Sequence, residues 1–461
     1  MGGPELRPIN VYEIAAIVNG RPFAILDSAL ASGFAFDHRE VAPGDLFICI
    51  RGSRFDGHDF AAQAIARGAA ACLASRPIPG PHILVNDVVR AISLLGTEYR
   101  KRVSGEVVGV TGSYGKTSVK EFLAAALRPL GAIAKTEGNR NTELTAPLLF
   151  AQLDGAEAAV VVEMAMRGKG QIGELCRIAR PTAGVVTNVG HAHLEALGSR
   201  LEIAKAKREL LEAIPNYGHG AVWAEDEFRD VLAKHVGCHL GYFGFSDSAD
   251  ARVESCEIVG WERSVATIRV DGERVELEVP ASGKHMALNA AAALLVASRL
   301  GAPLGEAAQS LASAQLPAMR MQVLQRQGVT IVLDAYNAAP GSVAASLETL
   351  AAVPCEGKRR MVLGDMLELG RAAAELHGLV GAQIAAAGVT SALFYGPNSI
   401  QHALPAYASA CANCEARSAS NIDEVAAFLH SASPGDVVLV KGSRGMALER
   451  ALERRPQGAL T

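Results

Sequence analysis

One segment limits the fold more than any other. From Val107 to Leu127 the chain reads VVGVTGSYGKTSVKEFLAAAL, an apolar strand that passes through a glycine-containing turn into a helix with apolar residues at Val119, Phe122, Leu123 and Leu127. A helix that follows a strand so closely must fold back over the sheet, which makes the fold class α/β. Glycines allow the backbone to wrap a chain of phosphates, and the helix N-terminus adds unpaired amides and positive potential. Thr111, Gly112, Ser113, Tyr114, Gly115, Lys116 and Thr117 are accordingly read as a nucleotide phosphate loop, ATP being the first choice. Lys116 would neutralise the terminal phosphates, and the Thr117 hydroxyl is placed to coordinate Mg2+. The general pattern GxxxxGK[ST] requires glycine at position 110; Val110 stands there and Gly109 comes one residue early, so the loop is a variant.

Two further buried-looking strands, AAVVVEMA and TAGVVTNVG, each end in polar or small residues. An open, mostly parallel sheet of this kind collects its ligands beyond the carboxyl ends of the strands. After Pro317 a second α/β series follows in VTIVLDAY, RRMVLGDM, SALFYG and GDVVLVKGSRG, separated by Ala- and Leu-rich helical segments. Ahead of the loop, short apolar runs alternate with turn signals such as Pro43-Gly44-Asp45 and Asp56-Gly57-His58, and end in a helix near Ala91 to Arg102. With 461 residues the chain exceeds what one core organises. Three domains are expected: a small mixed α/β domain over 1–102, a central P-loop domain with a mostly parallel sheet over 103–316, and a Rossmann-like C-terminal domain over 317–461.

Composition narrows the partners. Hydrophobic residues make up 49% and charged ones 20%, the balance of a globular protein. A formal net charge of -4 gives no general attraction to nucleic acid, so no nucleic-acid partner is expected. No stretch approaches the ~18 apolar residues that span a bilayer, and the opening MGGPELRPINVYE lacks a leader's apolar run. No membrane insertion and a cytoplasmic location follow as expectations. The eight cysteines are then expected to remain thiols; Cys411 and Cys414 form a CxxC without the second pair that a zinc site wants.

In LEIAKAKRELL, residues 201–211, a helical projection places Ile203, Ala204, Leu210 and Leu211 on one stripe, with Lys207 in its middle. A desolvated lysine amine has a lowered pKa and in its neutral form can take up carbon dioxide as an anionic carbamate. A lysine that carries its ammonium to the edge of the stripe satisfies the spacing equally well. Glu163 and His193 each follow a strand, on the side where the phosphate loop opens. With a Lys207 carbamate they would make a site for Mg2+ beside a triphosphate. Singly, Glu163 serves as a helix cap and His193 as a loop histidine.

PGDLF, FDGHDF, TGSYGKT, TEGNRN, VVVEMAM, NVGHAHLEALGS, IAKAKREL, DAYNAAP, LGDMLELG and VKGSRG occur in one order along nearly the whole chain, and in that order the sequence resembles the Mur ligase family. The resemblance implies a UDP-sugar-binding first domain, a central P-loop ATPase and a C-terminal Rossmann-like ligase domain. It further implies an ATP-dependent amide ligase of peptidoglycan precursor synthesis, with ATP, two Mg2+ and a carbamate on Lys207. LGDMLELG, together with the first domain, points to the branch that joins D-alanyl-D-alanine to UDP-N-acetylmuramoyl-tripeptide through an acyl phosphate. By resemblance, Lys207, His193 and Glu163 hold the second metal and, with Lys116, form the catalytic set. Thr117 serves the metal at the phosphates, and Asn289, Arg320, Asp334, Tyr336 and Asn337 hold ATP. Asp37, Arg39, Asp56, Gly57, His58, Asn139, Asn141, Thr142, Lys441 and Arg444 match substrate-binding positions. Departures include His38 within Asp37-His38-Arg39, Thr142 in place of a second asparagine, Ala165, Met286, Met319 and Ala335. They leave open a homologue that binds UDP-sugar and nucleotide without joining them, and a ligase with another amine acceptor. A P-loop kinase would leave Lys207 and FDGHDF unexplained.

Overall fold

The structure, a computed structural model, describes residues 8–52 and 55–454. Residues 1–7 of the opening segment read above for a leader lie outside the described residues. The fold is α/β, with several mostly parallel sheets, as expected. The chain divides into two compact units, residues 1–109 with 130–166 and 170–183, and residues 110–129 with 167–169 and 184–461.

In the first unit a five-stranded sheet runs in the order Arg21–Phe23, His82–Leu84, Ala71–Ala74, Asp45–Ile48, Gly33–Ala35. Only the Arg21–Phe23 edge pairs antiparallel. The helix expected near Ala91 runs Val88–Arg100, begun by Asp87, whose carboxylate accepts from Val89 N and Arg90 N at 2.8 and 3.1 Å. It buries Val88, Ala91, Ile92, Leu95, Gly96 and Tyr99, a single face at helical spacing. A Cβ on Gly96 would come 2.8 Å from Pro147 O, so the glycine lets this helix meet Pro147–Phe150 backbone to backbone. Ala159–Glu163, buried throughout, pairs parallel with Ile133–Lys135 in the same unit.

In the second unit, which takes in all but the first residue of the strand Ala183–Val186, strands follow in the order Ala183–Val186, His219–Trp223, His239–Gly244, Ala251–Ile258, Ser264–Val270, Glu273–Val279. The last three form antiparallel hairpins. Asp271 and Gly272, at φ 46 and 95, make the tight turn between the last two, where positive φ at both positions matches the strands' twist. The helix Lys284–Arg299 is alanine-rich and buried along most of its length, which lets it pack closely on the phosphate-loop helix Lys116–Ala126. Further along, six strands run Gln322–Arg326, Val329–Asp334, Val437–Lys441, Arg359–Gly364, Ser391–Tyr395, Glu415–Ala419, all parallel but the first. Four are the expected strands of the Rossmann-like series.

The cysteine expectation needs correction: Cys411 and Cys414 are joined as a disulfide, their Cα atoms 5.4 Å apart. The short loop between the helix Leu404–Ala410 and the strand Glu415–Ala419 turns both side chains together. The six other cysteines are free. Among the described residues no helix is long and apolar enough to cross a membrane.

Candidate active site

Gly112 and Gly115 hold φ values of 151 and 80, open to glycine and costly for other residues. A Cβ on Gly112 would lie 1.8 Å from Thr187 Oγ1, and one on Gly115 would come 3.0 Å from Asn289 Oδ1. Asn289 therefore sits against the loop. The loop is held open from behind by the segment after Ala183–Val186. Thr187 Oγ1 and Asn188 Nδ2 both donate to Tyr114 O, at 2.6 and 3.0 Å, and Gly190 N donates to Ser113 Oγ at 2.8 Å. Gly115 caps the helix Lys116–Ala126 without any side-chain acceptor, and the positive end of the helix dipole there favours an anion. Lys116 Nζ donates to Gly112 O at 2.8 Å, so the ammonium lies over the loop. Thr111, Ser113 and Thr117 are buried around it.

Lys207 is 1% exposed, in the middle of the apolar face of the helix Arg200–Ala213. Burial pushes its amine well below the ordinary lysine pKa; the Lys116 charge pushes the same way, and Asp226 opposes both. Asp226 gives its two oxygens to Val189 N and Phe228 N, at 2.7 and 2.8 Å, and burial raises its own pKa. Among the described residues no carboxylate hydrogen-bonds the Lys207 amine.

His193 stands at φ 65 and begins the helix Leu194–Leu197. Its Nδ1 lies 2.6 Å from Glu368 Oε2, and this hydrogen bond holds the Glu368 carboxyl below the usual range. Glu163, 2% exposed, belongs to the first unit. Its Oε1 accepts from Asn141 Nδ2 at 2.8 Å, and its amide donates to Thr136 Oγ1 at 3.0 Å.

No three His, Cys, Asp or Glu side chains are grouped to hold a metal among the described residues. A cation near the loop would thus need oxygen from a group of another type. Lys207 is of a chemistry that can supply such oxygen: the Lys116 charge and burial both disfavour its ammonium, and a carbamate would replace that repulsion with attraction.

Arg320 gathers the nucleotide candidates of the second unit. Its Nη2 donates to Thr117 Oγ1 at 2.7 Å, and its guanidinium lies 4.3 Å over the Tyr336 ring. Asp334 and Lys441, assigned above to different ligands, pair with each other: parallel register sets them opposite, and the Lys441 ammonium hydrogen-bonds Asp334 Oδ2. Burial would raise the Asp334 pKa, but Lys441 and Ser346 outweigh it and hold the carboxyl below its ordinary value. Asn337 Oδ1 accepts from Ala338 N, which shapes the turn. Arg444 is exposed and pairs with Glu449 at 2.5 Å.

The substrate candidates of the first unit separate in the same way. Asp37 accepts from Arg39 N and binds its guanidinium, which holds the Asp37 carboxyl well below the carboxylate range; Arg39 itself points to solvent. Buried His58 has a partner on both nitrogens, Asp56 Oδ1 at 2.5 Å and Ser75 N at 2.9 Å, which ties its loop to the strand that ends at Ala74. Gly57 is required because a Cβ would meet Ile50 N at 2.8 Å. Asn139 O accepts from Asn141 N, which orients Asn141 within its turn, and Thr142 O accepts from Ala146 N. Beside them opens a cavity of about 680 Å³ that no sequence motif marked, lined by Phe34, Phe36, Ile133, Lys135, Arg140 and Leu148 among others. Two aromatic residues two apart, Phe34 on the strand Gly33–Ala35 and Phe36 just after it, were its only trace in the sequence. Asp226 and Glu368 were missed as well: Glu368 stands inside the quoted LGDMLELG, but nothing in that string marks it as the partner of His193, and Asp226 belongs to no spacing pattern.

Comparison with known proteins places the chain in a family. Family models for the Mur ligase middle domain, the Mur ligase glutamate ligase domain and the Mur ligase family catalytic domain match residues 110–297, 319–444 and 33–99. UDP-N-acetylmuramoyl-tripeptide--D-alanyl-D-alanine ligase of Bacillus subtilis is 33% identical, over 93% of both chains. The enzyme of that name from Escherichia coli is 34% identical over 90% of this chain and 92% of its own. The crystal structure of MurF from Acinetobacter baumannii superposes with a TM-score of 0.86 at 26% identity, covering 98% of this chain and 99% of that one. MurF ligase from Thermotoga maritima in complex with ADP gives 0.78 at 30% identity, with 91% and 96% covered. With relatives above 30% identity along nearly its full length, and three family models in their proper order, the chain belongs to the Mur ligase family.

Proposed function

We propose that this protein is the ATP-dependent ligase that joins D-alanyl-D-alanine to UDP-N-acetylmuramoyl-tripeptide, releasing ADP and phosphate. The observation that carries the reading is the fully buried Lys207 amine within electrostatic reach of Lys116 at the phosphate loop. A kinase or a simple nucleotide binder has no use for that costly arrangement. In the reaction the terminal tripeptide carboxylate attacks the γ-phosphate, while Lys116 and the N-terminus of the helix Lys116–Ala126 take up the charge that spreads over the phosphoryl oxygens. Arg320, stacked on Tyr336, fixes the Thr117 hydroxyl at the same loop. The dipeptide amine then attacks the acyl phosphate, phosphate leaves and an amide remains.

Mg2+, when bound, supplies charge neutralisation at the phosphates. Thr117 would hold it at the nucleotide, and His193 with carbamylated Lys207 would hold a second ion. Glu163 stays proposed as a further ligand on the sequence pattern alone. Lys207 can take up carbon dioxide because its burial favours the neutral amine; the amine nitrogen bonds the carbon, and one proton leaves. The cavity lined by Phe34, Phe36, Lys135 and Arg140 suits the UDP-sugar end, with flat rings for a base and cations for a diphosphate. We also propose the domain limits 1–102, 103–316 and 317–461, and a cytoplasmic location where ATP and the precursor meet.

The test is phosphate release with ATP, UDP-muramoyl-tripeptide and D-alanyl-D-alanine, each omitted in turn, with the pentapeptide product weighed by mass spectrometry. Release must depend on both acceptor and donor; equal ATP turnover without them sinks the reading. Trapping with hydroxylamine should yield a hydroxamate.

A further inference from the structure

Glu368 sits in LGDMLELG, far along the chain from His193, yet the two loops lock together. Besides the 2.6 Å contact of its carboxylate with His193 Nδ1, Glu368 O accepts from Glu195 N at 3.1 Å. A Cβ on Gly370, at φ 55, would come 3.1 Å from Glu195 Cα, so the backbones touch. His193 and Glu368 both occupy the left-handed region, at φ 65 and 64, a conformation that costs a non-glycine residue about 1 kcal/mol or more and persists where surroundings enforce it. Stability does not account for this contact. The Glu368 side chain is 51% exposed, and an exposed carboxylate pairing with an imidazole contributes little to folding. What the contact does fix is the ring: a carboxylate on Nδ1 keeps the proton there and leaves Nε2 as the lone-pair nitrogen.

We propose that Glu368 is a positioning residue for His193, holding the imidazole in one tautomer and orientation so that Nε2 is the nitrogen offered to Mg2+. The assignment rests on the ligase reading above. It also makes the metal loop and the LGDMLELG loop one mechanical unit, because the residue that orients the ring is anchored in the Rossmann-like series.

Nitrogen-15 histidine NMR of the full chain without substrates or metal, at pH 8, reads the tautomer directly, the His193 signals being identified by their loss in His193→Gln. The wild-type ring should be protonated on Nδ1, and Glu368→Ala should shift it toward the Nε2-protonated form. In turnover, the Mg2+ concentration for half-maximal rate should rise ten- to a hundredfold in Glu368→Ala and less in Glu368→Gln, which keeps an acceptor. The KM for ATP at saturating Mg2+ should stay within about twofold in both. Unchanged tautomer populations overturn the proposal; so does a loss of kcat and melting temperature with unaltered Mg2+ dependence, which would mark a strut. A wild-type chain that joins no substrates removes only the ligase reading, since the NMR measurement still decides what Glu368 does.

Discussion

Lys207 spends its folded life without water, and a buried amine that has no carboxylate bonded to it is a standing cost unless chemistry changes it. Lys207→Ala should lower turnover by roughly a thousandfold, the scale of losing a charge-stabilising group in an active site. Millimolar formate or acetate should restore part of it, and retention of most wild-type rate would remove the carbamate assignment. His285 carries a second consequence of burial, which pushes its pKa down to about 4. A depressed histidine pKa favours the folded state above the unfolded value near 6.5, and the benefit disappears as pH falls from there toward 4. Unfolding free energy should therefore drop by on the order of 3 kcal/mol across that window. Urea melts of wild type and His285→Gln should converge at the acid end if this residue is responsible. At this scale the sequence was partly legible. Lys207 announced itself by interrupting an apolar stripe, but the Asp334–Lys441 pair did not, because 107 residues separate its members and each alone looks like a ligand-binding group.

Among the elements, the phosphate loop was the most readable, since strand, glycines and helix all lie within one short stretch. Gly112→Ala should weaken ADP binding at least tenfold by calorimetry, because φ 151 and the Thr187 hydroxyl both exclude a methyl group. A variant that binds ADP normally would mean that the loop relaxes freely. The helix Val88–Arg100 tests capping in the same spirit: Asp87→Ala removes the acceptor of two amides and should cost about 1 kcal/mol in thermal melts. Buried strands such as VTIVLD and VVLVK were legible as apolar runs. The edge strands Gln322–Arg326 and Glu415–Ala419 were not; most of their side chains meet solvent or lie half-buried, so no apolar run marks them. The disulfide escaped for a different reason: loop length alone does not say which way two cysteines face.

For the whole molecule, a ligand that binds only the folded state raises its stability by mass action, about 2.7 kcal/mol at a hundred times Kd. Mg·ADP should accordingly raise the melting temperature of the wild type and fail to do so in Gly112→Ala. The strand Val437–Lys441 is the last of its sheet to be synthesised, yet it lies third among six, between Val329–Asp334 and Arg359–Gly364. A ribosome-bound chain thus holds two unsatisfied strand edges facing one another, and Asp334 has no cation, until this late piece arrives. A premature stop ahead of Val437 would not trim the enzyme at its margin; it would leave a sheet cleft down its middle and open to pairing with neighbouring nascent chains.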